Sequence, residues 1–171
     1  ALHDAGRPAD AIRAFDSLLA FGLDNYPMLV SQAINRTEAL ISDDRPAEAL
    51  TALNELDEKY MKYASSYGKM WVWAGKVCAL NALGRSAEAI PYMTKLDAQL
   101  KDNMSAVMKA GACVGDIDKV EQIMLSRLDS ADDRTGALLS FVQFTGAEAQ
   151  SRFDAKVRDV ITKARNRPAV Q

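Results

Sequence analysis

The side chains that could do covalent or metal chemistry are few and scattered. One histidine, His3, stands at the start of the chain, so catalysis through a buried histidine pair has no material. Two cysteines, Cys78 and Cys113, lie 35 residues apart. Zinc asks for about four ligands, and a disulfide scaffold asks for many more cysteines. The pair leaves two readings: two buried thiols, which is the plainer, or a disulfide in an oxidising compartment. Carboxylates cluster at Glu55, Asp57 and Glu58, and again at Asp129, Asp132 and Asp133. Paired carboxylates can run acid–base chemistry, but these read as solvated helix ends. Gly111 and Gly115 make no phosphate loop, since no lysine-serine pair follows a strand. The chain is read as non-enzymatic, with no catalytic residue, no cofactor and no metal.

Charge and hydropathy narrow the partners. The 171 residues carry 21 basic and 23 acidic side chains, a net charge of -2, so there is no global field for nucleic acid. The basic stretch from Arg152 to Arg167 is diluted by Asp154 and Asp159 and lacks interleaved aromatics for base stacking. Nucleic acid is therefore not expected as a partner. Hydrophobic residues at 49% exclude wholesale disorder. No apolar run approaches the ~20 residues that span a bilayer, so membrane insertion is not expected either. The opening Ala-Leu-His-Asp-Ala-Gly reads as the end of a helix, which makes a truncated piece of a longer chain the expectation. Localisation stays open between cytoplasm and periplasm.

The elements that would position these side chains are organised by a repeat. Asp4-Ala5-Gly6-Arg7-Pro8-Ala9-Asp10-Ala11-Ile12 aligns with Ser42-Asp43-Asp44-Arg45-Pro46-Ala47-Glu48-Ala49-Leu50. Both align with Ala82-Leu83-Gly84-Arg85-Ser86-Ala87-Glu88-Ala89-Ile90, and more weakly with Cys113 to Glu121. The turn positions Gly6, Asp44, Gly84 and Gly115 are 38, 40 and 31 residues apart. Gly or Asp ends one helix in a left-handed or turn conformation, and proline or serine opens the next. An acidic residue in the first turn meets the helix dipole. Ala11, Ala49 and Ala89 sit where two helices cross closely. Phe15, Leu53 and Met93, then Leu18, Leu56 and Leu96, continue that stripe. A weaker fifth unit is marked by Gly146 to Phe153.

Helices are predicted near 8–21, 27–42, 46–64, 69–83, 86–101, 104–113, 116–128, 132–143 and 147–165, with no strand. Pro91 should kink its helix or push the start toward Ile90. This is an all-α chain read as one domain: a half-unit 1–21, units about 27–64, 69–101 and 104–128, and a degenerate unit or cap at 132–165.

The pattern resembles the tetratricopeptide repeat family. In the third unit Trp73, Leu80, Gly84, Ala89 and Met93 fall where the family has an aromatic, a large residue, glycine, alanine and a large apolar residue. Leu40, Asp44, Ala49 and Leu53 match in the second, and Gly6, Ala11 and Phe15 in the first half-unit. The fourth departs, with Gly111 for the large residue and Val120 for the alanine. The resemblance covers residues 1–130 well and the rest weakly. It implies a right-handed superhelical solenoid of stacked antiparallel helix pairs, since one pair cannot bury its own apolar face. First helices would line a concave groove that binds a peptide or helical segment. The alternative is a structural or self-association segment of a larger solenoid. Helix 147–165 would close the stack as a solubilising cap.

Helices 27–42, 69–83 and 104–113 should then supply the groove. Its candidate residues are Asn35, Glu38, Lys69, Lys76, Asn81 and Lys109, all taken as exposed. The family's carboxylate clamp is incomplete, because Ile34 stands beside Asn35 and no matching Asn-Lys set follows. Tyr60, Met61, Tyr63, Tyr67, Met70, Trp71 and Trp73 crowd one helix end and the next helix start. Two tryptophans only two residues apart cannot face the same way on a helix. Trp73 fits the core. Trp71 is a candidate partner anchor at the groove edge, or packs beneath helix 46–64.

Overall fold

Three of the repeated turns share one backbone solution; the one at Gly6 lies outside the described residues. In the computed structural model, which describes residues 7–141 and 151–170, Asp44, Gly84 and Gly115 have φ of 54°, 72° and 84°. Each sits just past a helix end. The amide after it reaches back to the carbonyl five residues earlier: Arg45 to Leu40 at 2.9 Å, Arg85 to Leu80 at 2.8 Å, Asp116 to Gly111 at 3.0 Å. A second bond runs from Asp44 to Ile41, Gly84 to Asn81 and Gly115 to Ala112. That double closure satisfies carbonyls a helix end would leave bare.

Nine α-helices follow among the described residues: α1 (Pro8–Leu19), α2 (Val30–Ser42), α3 (Pro46–Glu55), α4 (Ser66–Ala82), α5 (Ser86–Ala98), α6 (Met104–Val114), α7 (Ile117–Asp129), α8 (Arg134–Phe141) and α9 (Arg152–Arg165). No strand occurs among them. Two kinds of helix start recur. At α4, α6, α7 and α9 a polar side chain caps the first turn: Ser65, Asn103, Asp116 and Ser151 accept from the amides of Gly68, Ala106, Lys119 and Asp154. At α3 and α5 the cap position is an arginine. Arg45 forks onto Glu48 with two 2.7 Å bonds, and Arg85 onto Glu88 at 2.6 and 2.7 Å.

Three predicted boundaries are corrected. The long helix 46–64 is α-helical only through Glu55, then widens to a π turn over Leu56–Tyr60 and tightens to a 3₁₀ turn over Met61–Tyr63. The helix predicted from residue 69 starts at Ser66, because Ser65 caps it. Pro91 neither delays α5 nor interrupts it. It cannot donate to the Ala87 carbonyl, but both residues are exposed to water. The predicted fifth-unit marker, residues 146–150, lies outside the described residues.

The core is one continuous cluster from Ile12 in α1 to Ala164 in α9. Helix α4 is its axis, with Met70, Val72 to Val77, Cys78, Ala79 and Leu80 all buried. Helices α2 and α6 flank it, while α3 and α5 also pack on it. Gly75 permits the α3 approach: a Cβ there would meet Leu53 Cδ2 at 3.0 Å. The repeated Ala11, Ala49 and Ala89 are buried at 6%, 0% and 2% exposure, as the crossing role requires, whereas Leu18 of the stripe is exposed. Cys78 of α4 and Cys113 of α6 are joined as a fully buried disulfide, so the two-thiol reading does not stand.

Helix α9 lies within the segment expected to cap the stack. It packs on α7 and α6 and also reaches back to α2. Phe153, Val157, Val160 and Ala164 form its buried stripe. The Asp44 carboxylate accepts from the Arg152 and Phe153 amides at 3.2 and 3.3 Å, tying the α9 start to the α2–α3 turn. Arg167 closes the other end on Asp118, at 2.6 Å, and Glu121.

Candidate functional site

Four of the seven candidate residues meet in one place. Asn35 and Glu38 of α2, Trp71 of α4 and Lys109 of α6 line an open depression of about 440 Å³. Helical spacing explains the α2 wall, since Ser31, Asn35 and Glu38 recur at four and three residues. Tyr67, one turn before Trp71, supplies the aromatic wall. Their rings stand edge to face, 6.2 Å apart at 70°. Ile34 and Gly68 complete the apolar floor, and Gly68 keeps that floor low.

The far boundary of the depression is an ion pair. Lys109 Nζ donates to Glu38 Oε1 at 2.5 Å. These residues belong to α2 and α6, which flank α4, so the pair bridges over α4. Its side chains are 37% and 22% exposed for Glu38 and Lys109. Lys109 Nζ also lies 5.9 Å from the Phe153 ring centroid of α9. The ion pair thus divides the face into two bays. The open bay has no α9 side chain in its lining. The other, a depression of about 360 Å³ bordered by Ile41, Asp44, Asn81 and Ala82, takes Phe153 and Lys156 at the start of α9 as part of its wall.

The other candidates have different duties. Lys76 is corrected outright: it is 3% exposed rather than solvated. It points to the α3 and α5 side, donating to Asp57 at 2.5 Å and to the Tyr92 hydroxyl at 3.2 Å. On a helix buried on all sides a lysine survives only with such partners. Asn81 is half-buried and spent on structure. Its amide donates to the Cys113 carbonyl at 2.6 Å and its oxygen accepts from Ser86 Oγ at 2.9 Å. Lys69 is half-buried in the first turn of α4 and does not line the open bay. Trp71 stands half-buried in the bay wall, whereas Trp73 is buried in the core with Lys95 over its ring at 5.5 Å.

Sequence reasoning did not place Ser31, Ile34 or Ser65 in the bay, nor did it single out Tyr67 for it. The signal for Ser31 was its four-residue spacing from Asn35, and for Tyr67 the same spacing from Trp71. A second depression of about 390 Å³ between α1, α2 and the π turn was not foreseen. Arg36 and Asp16 pair within its rim at 2.5 Å. Among the described residues no group of three or more His, Cys, Asp or Glu can hold a metal ion. No described helix is long and apolar enough to cross a membrane. Compared with protein-family models, curated proteins and solved structures, the chain matches none.

Proposed function

We propose that this chain is a non-enzymatic, tetratricopeptide-like stack of helix pairs that binds a polypeptide segment in the open bay. The observation that carries the reading is the convergence of Asn35, Glu38, Trp71 and Lys109 on one accessible depression. An indole beside a tyrosine makes a partner anchor. The Asn35 side chain makes no hydrogen bond to a described residue, so its donors and acceptor are available to a peptide group. The disulfide between α4 and α6 favours an oxidising compartment, the periplasm over the cytoplasm of the two considered.

The test is affinity capture with the intact chain, its Asn35→Ala/Trp71→Ala variant, and an Ile90→Ser control on the opposite surface. A partner held by the bay is lost from the double variant and kept by the control. Retention by the double variant overturns the reading. Charge reversal at Lys76 is not a usable probe, since it would break a buried pair.

Self-association is the second reading. It is favoured by a patch on the α1–α2 connection, where Phe21, Tyr26 and Met28 are 61%, 47% and 72% exposed. Light scattering over a concentration series tests it; a monomer throughout removes it.

A further inference from the structure

We infer that the occupant of the open bay is a short, extended, uncharged segment carrying one large aliphatic or aromatic side chain. This rests on the reading of the bay as a polypeptide site. Length is limited first. The α2 wall runs from Ser31 to Glu38, about 10 Å at ~1.5 Å per residue. That matches three residues of extended chain at ~3.3 Å each. The Glu38–Lys109 bridge closes the bay beyond that point, and Phe153 of α9 stands just past it, its ring centroid 5.9 Å from Lys109 Nζ. A helix of ~10–12 Å diameter laid along the face would collide with both.

Charge is limited next. The two ionic groups of the bay, Glu38 and Lys109, are bonded to each other. An incoming carboxylate or ammonium would have to break that pair or enter without a counter-charge, at the cost of desolvation. What remains is an apolar slot between Ile34, Tyr67 and Trp71, with the Asn35 amide and the Ser31, Thr37 and Ser65 side chains beside it. Extended chain presents side chains alternately, so one side chain enters the slot while its own peptide group meets Asn35.

The experiment uses the full chain labelled with ¹⁵N and five probes. They are acetyl-Gly-Leu-Gly-amide, its Phe, Glu and Lys counterparts, and a synthetic copy of residues 151–170 as an amphipathic helix. The Leu and Phe probes are expected to move the Trp71 indole and Asn35 side-chain amide resonances saturably. The Glu and Lys probes should bind at least tenfold more weakly, and the helix should leave both resonances in place. Asn35→Ala should weaken the Leu probe at least threefold, while Ile90→Ser leaves it unchanged. Equal binding of a charged probe, shifts centred elsewhere, or stronger displacement by the helix would overturn the inference. If the inference falls while the Asn35→Ala/Trp71→Ala variant still loses its captured partner, polypeptide binding stands and only the segment chemistry is wrong. If capture ignores that variant, the bay reading fails first and the inference falls with it.

Discussion

The two bays of the face share walls from α2 and α4, yet α9 supplies part of the lining of one and none of the other. In the bay that α9 borders, Asp44 holds the α9 amides, and Asn81 spends both ends of its amide on Cys113 and Ser86. Phe153 supplies an apolar part of its wall. In the open bay Asn35 faces water and the aromatic wall of Tyr67 and Trp71 has no facing side chain from α9. A face of this kind is completed either from within or from outside. The Glu38–Lys109 bridge marks where one regime stops.

The largest expected effect strikes the crosslink between α4 and α6. Replacing Cys78 and Cys113 by alanine removes a crosslink over 35 residues, and should lower stability by about 3–4 kcal/mol in denaturant titration. If the midpoint barely moves, α4 and α6 are held by packing alone. Phe153→Ala separates the bays next. It should cost about 3 kcal/mol, and amide exchange in α9 should rise well above that in α4. Unchanged exchange in α9 would show that its hold lies elsewhere, at Arg167 or Asp44.

Lys76→Met tests that this residue belongs to neither bay. Losing the pair strands Asp57, whose side chain is 24% exposed, so solvent reduces the penalty to about 2 kcal/mol. Binding of the Leu probe should not change. Asp44→Gly keeps the φ of 54° accessible while deleting the carboxylate that holds α9, at about 1 kcal/mol. Asp44→Ala should cost more, because an alanine is strained at that angle. A smaller loss for Ala than for Gly would contradict the left-handed turn.

The smallest effect lies outside both bays. Hydrogen bonds from Arg45 and Arg85 hold the Glu48 and Glu88 carboxyls below their ordinary value. Groups with a depressed folded pKa stabilise above the unfolded pKa of about 4.3, and that stability is lost as pH falls through the folded value. Glu48→Gln/Glu88→Gln should therefore lower stability slightly at neutral pH and flatten the acid limb below about pH 4, where variant and parent converge. An unaltered acid limb would assign that limb to other carboxylates.

Much of the fold was legible because it is written locally. Asp44, Gly84 and Gly115 announce left-handed turns, and the small-then-large stripe announces helix crossings. The π turn was not legible, since Leu56 to Tyr60 has good helical periodicity and no breaker. Of the site, the α2 residues and Trp71 were readable from spacing. Lys76 was misplaced because α4 is flanked by α2, α3, α5 and α6 at once, which its own periodicity does not record.

The sequence by itself determined the helices, their turns and the rhythm of their crossings. Those depend on φ preferences, caps and apolar spacing within a few residues. Only the tertiary structure decided which bay α9 borders. Bonds from Lys109 to Glu38 across 71 residues, and from Phe153 to Asp44 across 109, depend on where separate helices come to rest. The disulfide was decided in the same way: both cysteines were visible, but only the packing of α4 on α6 brings their Cα atoms to 5.1 Å.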